Sequence, residues 1–198
     1  MNIKDKQIDL KYKICVSGAA ETGFCGPEAF KIGEELGREI AKRNCVLVDG
    51  ATTGFPFWAA KGVKSIGGIV IGLSPALNEK EHIEKYKLPT DYHDLIIYTG
   101  FNYSGRNLLL TRSSDAVIVG CGRMGTINEF TIAFEDRKPI GILEGPWETD
   151  EVFKEIIEKS HRAEEMKERI VYASDPKILL DKLIPIIKKY KESNEIVL

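Results

Sequence analysis

The chain has 198 residues, 43% of them hydrophobic, enough to bury a substantial core in one domain. Charged residues make up 29% and nearly cancel to a formal net charge of -2, so no basic field advertises nucleic-acid binding. Met1 to Lys13 is polar with no apolar signal segment, and no later apolar run approaches the roughly 18 residues of a membrane span, which points to a cytoplasmic protein.

Short apolar runs bounded by glycine and polar residues alternate with longer stretches of helical period, the pattern of βαβ units around a parallel sheet. The first strand is expected at Tyr12 to Ser17. A helix follows from Pro27, with Phe30, Gly33, Leu36, Gly37 and Ile40 on one buried stripe. Then come a strand at Cys45 to Asp49, a helix at Phe57 to Val63 and a strand at Gly68 to Gly72. Ser74 to Asp94 is polar, holds Pro75 and Pro89, and reads as an excursion with room for one helical turn. Beyond it the pattern gives strands at Leu95 to Tyr98, Ala116 to Gly120, Pro139 to Leu143 and Ile170 to Tyr172. Helices are expected at Tyr103 to Ser113, Gly125 to Glu135, Asp150 to Lys159 and Pro176 to Lys191. Apolarity that is continuous rather than alternating marks strands buried on both faces. The expectation is an α/β fold: one Rossmann-like, doubly wound domain over residues 1–198, with a mostly parallel sheet of six or seven strands in three layers.

Cys15, Cys25, Cys45 and Cys121 show no C-x-x-C pair and read as free thiols acting as small hydrophobes. His82, His93 and His161 lack metal-ligand spacing and read as surface residues, so no metal and no organic cofactor is expected.

In an open parallel sheet the ligand lies beyond the carboxyl ends of the strands, on the turns that follow them. Four turns stand out: Ser17 to Gly26, Asp49 to Gly54, Ser104 to Asn107, and Gly120 to Glu129. In the last, Gly122 and Gly125 let backbone approach an anion, Thr126 adds a hydroxyl donor at a helix start, and Glu129 falls one turn further in. A plain strand-to-helix turn, with Glu129 complementing the helix dipole, is the bland alternative. G-x-G-x-x-G after the first strand, a P-loop and a G-x-S-x-G elbow are all missing, which weakens dinucleotide, triphosphate and serine-hydrolase readings.

Arg106, then Asp115-Ala116-Val117-Ile118-Val119, then Gly125-Thr126-Ile127-Asn128-Glu129 resembles the LOG (Lonely Guy) family, often labelled lysine decarboxylases, over roughly residues 12 to 145. The family pattern is an arginine, a segment ending Asp-Ala, a strand and P-G-G-x-G-T-x-x-E. The resemblance implies a phosphoribohydrolase that cuts the N-glycosidic bond of a nucleoside 5′-monophosphate. Arg106 and Glu129 would be its catalytic pair, with Gly18, Gly50, Thr53, Gly54, Gly122, Arg123, Gly125 and Thr126 holding the nucleotide. Arg112, at a second basic position of the family helix, is either an assistant or a surface residue. The family's homodimers imply a homo-oligomer here, with an apolar interface supplied around Tyr103 to Glu135.

The pattern has departures. Cys121 stands for the family's proline and Arg123 for its second glycine, while Phe55-Pro56-Phe57 replaces Leu-Met-Gly after the second strand. Those aromatics either stack on a base or fill the core. Two functions follow: hydrolysis by Arg106 and Glu129, or a nucleotide or phosphorylated-ligand binding or sensor module that does not cut. Retention of both side chains favours catalysis, because a carboxylate beside a phosphate costs a pure binder affinity. An inherited fold used only for assembly is the third, blander option.

Overall fold

The computed structural model describes residues 10–192, so most of the polar N-terminal segment lies outside the described residues. Seven apolar runs become seven strands: β1 Lys13–Ser17, β2 Val46–Asp49, β3 Ile69–Ser74, β4 Leu95–Tyr98, β5 Ala116–Val119, β6 Ile140–Leu143 and β7 Ile170–Ala173. They form one sheet in the order β4-β3-β2-β1-β5-β6-β7, and every pairing is parallel. The expected "mostly parallel" sheet is thus wholly parallel. β1, β2, β5 and β6 are buried almost throughout, as their unbroken apolar sequences require, whereas edge strand β4 alternates between exposed and half-buried residues.

The helices are α1 Ala29–Lys42, α2 Phe55–Lys64, α3 Asn102–Ser113, α4 Met124–Glu135, α5 Thr149–Lys159, α6 Ala163–Met166 and α7 Pro176–Glu192. Leu36 and Ile40 of α1, Phe55 and Val63 of α2 and Leu179 and Leu183 of α7 pack on one face of the sheet. Leu110 of α3, Phe130 of α4, Phe153 of α5 and Met166 of α6 pack on the other. Gly33 and Gly37 lie on the buried stripe of α1 because α2 comes very close: a Cβ on Gly37 would sit 1.9 Å from the Ala59 carbonyl oxygen. Phe30, expected on that stripe, is instead 41% exposed against the edge of Trp58, since the stripe is centred on the glycines. α2 begins at Phe55, two residues earlier than its periodicity suggests, because Gly54 turns the chain and Pro56 suits a first helical turn.

The excursion between β3 and β4 contains a single π turn, Glu81–Lys85. His82 pins it from within: Nε2 donates to the Pro89 carbonyl at 3.0 Å and Nδ1 shares a hydrogen bond of 2.8 Å with Ser74. His82 is fully buried and the His93 side chain is 1% exposed, so only His161 is the surface histidine expected of all three. Polar sequence neighbours concealed the other two, whose partners are distant or come from across a turn. Among the described residues no helix is long and apolar enough to cross a membrane.

Candidate functional site

The strand order reverses direction between β1 and β5, which pair from Ile14↔Ala116 to Ser17↔Val119. Chain leaving β1 departs toward α1 on one face and chain leaving β5 toward α4 on the other. A crevice opens where they part. It holds a cavity of about 430 Å³, lined by the end of β1 and its turn, the turn after β2, one side of α3 and the first turns of α4.

Glu129 forms the floor. It is 6% exposed, and its Oε2 accepts a short hydrogen bond from the Ser17 hydroxyl. Burial pushes the Glu129 carboxyl above the usual carboxylate range, with Asp49 adding to the rise; the charge of Arg106 and the Ser17 hydrogen bond oppose it without cancelling it. Arg106 is equally buried on α3. Its Nη1 donates to the Leu73 carbonyl at 3.3 Å, its Nε to Asn107 Oδ1 at 3.2 Å, and its guanidinium lies 5.8 Å from the centre of the Tyr103 ring. No carboxylate lies within ion-pairing distance of it among the described residues. Gly50 is required beneath it: a Cβ there would sit 1.7 Å from Arg106 Nη1.

The wall opposite is the start of α4, where Met124, Gly125 and Thr126 present first-turn N–H groups that have no acceptor inside the helix. Arg123 occupies the N-cap position with no side-chain cap, and its guanidinium pairs with Glu21 from the turn after β1. Both partners are more than half exposed, so the pair lies across the mouth of the cavity and adds at most about 1 kcal/mol.

Of the residues singled out in the sequence, Arg106, Glu129, Gly18, Gly50, Arg123, Gly125 and Thr126 line the cavity together. Thr53, Gly54 and Gly122 do not. The Thr53 hydroxyl donates to the Ala20 carbonyl at 3.2 Å, and Gly54, at φ 75°, lets the next amide donate to Ala19 at 2.9 Å. These residues bind the second turn to the first. Gly122 is held below the surface by Thr149, to which it gives its N–H at 3.1 Å and from which it accepts at 3.0 Å. Arg112 pairs with Asp136 on the surface at 2.9 Å, away from the cavity. Phe55 is core, edge-on to Trp147 with ring centres 5.8 Å apart, and Phe57 meets Tyr92 outside the cavity, so Pro56 alone of that triplet lines it.

Ser17, Thr52, Asn107 and Met124, which lie in the four turns but were given no role of their own, also line the cavity, as does Tyr103 just outside them. A polar residue ending a strand, as Ser17 does, was the available signal. Asn107 had only its place in the Ser104 to Asn107 turn; its amide donates to Asn128 at 3.0 Å, which fixes its carbonyl oxygen on Arg106. Behind the second turn, Asp49 Oδ1 accepts from the Ala51 amide and from His93 Nε2, both at 2.8 Å. Burial pulls the His93 imidazole down, but the Asp49 hydrogen bond and charge outweigh it and raise it above its ordinary value. No group of three or more His, Cys, Asp or Glu side chains is placed to hold a metal among the described residues.

The cysteines correct a further expectation. Cys25, in the turn after β1, and Cys121, just after β5, form a disulfide across a 5.6 Å Cα–Cα gap, while Cys15 and Cys45 remain free and buried. The bridged residues are 96 apart in sequence, so only the parallel pairing of β1 with β5 brings them together. Burial raises both free thiols, that of Cys45 to about 11.

With the fold and cavity defined, the class is clear: a doubly wound α/β protein with a cavity at the switch point. The chain belongs to the SLOG cluster4 family, whose model matches residues 11–180. An uncharacterized protein of Archaeoglobus fulgidus is 34% identical over 134 residues, which cover 68% of this chain and 83% of that one. Among solved structures, the molybdenum cofactor binding protein of Rippkaea orientalis is 28% identical with a TM-score of 0.68, covering 92% of this chain and 99% of its own. The molybdenum cofactor carrier protein of Chlamydomonas reinhardtii is 24% identical with a TM-score of 0.67 over the same shares. DNA processing protein A of Helicobacter pylori, described by its single-stranded DNA binding mode, is 18% identical with a TM-score of 0.57, covering 93% of this chain and 82% of its own. Sharing that fold, the chain has only its net charge to argue against nucleic acid.

Proposed function

We propose that this protein binds and retains a phosphorylated small molecule in the β1/β5 cavity without cutting it, and that the molybdenum cofactor is the first ligand to test. The observation that carries this reading is the setting of Glu129, buried on the cavity floor with Oε2 engaged by the Ser17 hydroxyl. Burial raises the carboxyl and so disfavours the carboxylate that would steady an oxocarbenium-like sugar, while the group can still hydrogen-bond a polar ligand near a phosphate. In this reading the ligand's phosphate sits against the start of α4, where Gly125 and Thr126 offer N–H groups and Arg123 adds charge when it leaves Glu21. Arg106, with no carboxylate within ion-pairing distance among the described residues, faces the second anionic or electron-rich part of the ligand. The relative at 28% identity over nearly its whole length supports the choice of cargo.

A second reading, hydrolysis of a nucleoside 5′-monophosphate, is favoured by the presence of both Arg106 and Glu129 in one cavity. One experiment separates the two. The protein is equilibrated with nucleoside 5′-monophosphates and with the molybdenum cofactor; binding is followed by calorimetry and free base by chromatography. The carrier reading expects saturable binding that weakens in Arg106→Ala, and no free base. Base release that disappears in both Arg106→Ala and Glu129→Gln establishes hydrolysis instead. The assembly expected from the family belongs to the same proposal: Tyr103, Leu108 and Leu109 of α3 are exposed, and light scattering on the eluting protein checks for a homo-oligomer.

A further inference from the structure

We infer that the Cys25–Cys121 disulfide is a redox clasp on the ligand site: the oxidised chain holds its ligand, and reduction by a dithiol loosens it. This rests on the binding role proposed above and adds its regulation. Cys121 directly precedes Gly122 and Arg123, and thus the helix start at which a phosphate would bind; Cys25 closes the turn that begins Gly18 to Glu21 on the opposite wall. Apart from the disulfide, the two sides are joined only by noncovalent ties: the Gly120 amide donating to the Ser17 carbonyl at 3.1 Å, the Ser17 hydroxyl donating to Glu129, the Ala19 amide donating to the Cys121 carbonyl at 2.8 Å and the exposed Arg123–Glu21 pair. The bridge is therefore the strongest tie between them.

Both sulfurs are fully buried beside Phe55 and Trp147. Once the bond is broken, the two sulfurs must part to nonbonded contact in a core with little spare room. That separation passes along residues 121–126 to Gly125 and Thr126, whose usefulness depends on position to within about 1 Å. The reductant reaches the bridge when the turn around Cys25 opens; its flanking residues Phe24 and Pro27 are exposed and the turn lies on the surface. A thiolate of the dithiol attacks one sulfur to give a mixed disulfide and expels the other as a thiolate, which takes up a proton. The second thiol of the reductant then closes its own disulfide and releases the remaining cysteine, so two electrons and two protons pass to the protein.

The test uses the full chain as oxidised and after dithiothreitol, beside Cys25→Ser and Cys121→Ser. Thiols are counted in denaturant, and affinity is measured by calorimetry for adenosine 5′-monophosphate and inorganic phosphate. Two thiols are expected before reduction, from Cys15 and Cys45, and four after it. Affinity should fall at least tenfold on reduction, both serine variants should match the reduced protein with or without dithiothreitol, and melting should drop by roughly 10 °C. Hydrogen exchange at residues 18–26 and 121–126 should rise on reduction. Four thiols in the protein before any reductant overturn the clasp, as does equal affinity in the two forms once reduction is verified. That second outcome leaves the binding role standing. Neither probe binding to either form, nor the cofactor to the oxidised form, overturns the binding role and the clasp with it.

Discussion

On the face covered by α1, α2 and α7, apolar packing continues to the carboxyl ends of the strands, where Phe55 fills the space under the first two turns of the crevice. On the face covered by α3 to α6 it stops one turn short: Phe130 and Phe153 give way to Arg106, Asn107 and Glu129. Phe55 lies so close to the backbone of β1 and β5 that a Cβ on Gly18 would meet it at 2.8 Å and one on Gly120 at 2.7 Å. The same strands thus end in a close-packed apolar plug on one side and in buried polar groups on the other. Plug residues gain energy from exclusion of water. Arg106 and Glu129 give some of that up, since burial raises the carboxyl and, among the described residues, no carboxylate lies within ion-pairing distance of the guanidinium. Groups held at such a cost are what a ligand site needs, because a ligand's polar atoms complete them.

This contrast can be broken by measurement, and the plug carries the largest expected effect. Phe55→Ala should cost about 3–5 kcal/mol in chemical denaturation, as truncation of a buried aromatic does. Arg106→Ala should show the reverse balance, losing about 10–100-fold in ligand affinity by calorimetry while costing less stability than the plug variant. Equal stability losses from the two variants, with affinity untouched by Arg106→Ala, would remove the distinction between the faces. Next comes pH. The Glu129 carboxyl is raised on folding, so its contribution to stability is fully present below the unfolded value of about 4.3 and is lost as pH rises through the folded value. Anion affinity should weaken over the same window, as the carboxyl becomes a carboxylate beside the ligand. Calorimetry across that range should give a slope in the wild type that Glu129→Gln flattens. The smallest effect belongs to the mouth: Arg123→Ala should change stability by less than about 1 kcal/mol, because its partner Glu21 is exposed, yet should weaken phosphate binding measurably.

Much of this architecture was legible from periodicity. The unbroken apolar runs of β1, β2, β5 and β6 announce strands buried on both faces, and Asp175-Pro176 announces the start of α7. Glycine-rich turns after β1 and β5 were the sequence's pointer to the end of the sheet where the cavity lies, and Gly125 to Glu129 carried the most specific signal. The local sequence could not separate glycines that face the cavity from glycines that serve packing. Gly50 makes room for Arg106 and Gly125 opens α4, whereas Gly54 and Gly122 hold one turn to its neighbours, and all four look alike in the sequence. Phe30 shows the same limit on a helix, where the nearness of α2 to Gly33 and Gly37 displaced the buried stripe.

What the sequence by itself determined is the alternation of strand and helix, the parallel sheet that follows from it, and the ends of the strands at which chemistry can sit. These depend on the spacing of apolar residues a few positions apart, which a single chain displays openly. What only the tertiary structure decided depends on contacts between residues far apart in the chain: Ser17 on Glu129, Asp49 on His93, and Cys25 on Cys121. Each joins residues of different segments of the chain, brought together by the order in which the strands pair. Burial then raises the Glu129 carboxyl, and pulls His93 down only to be outweighed by Asp49; no spacing rule encodes either, because both depend on how the rest of the fold excludes water and places distant charges.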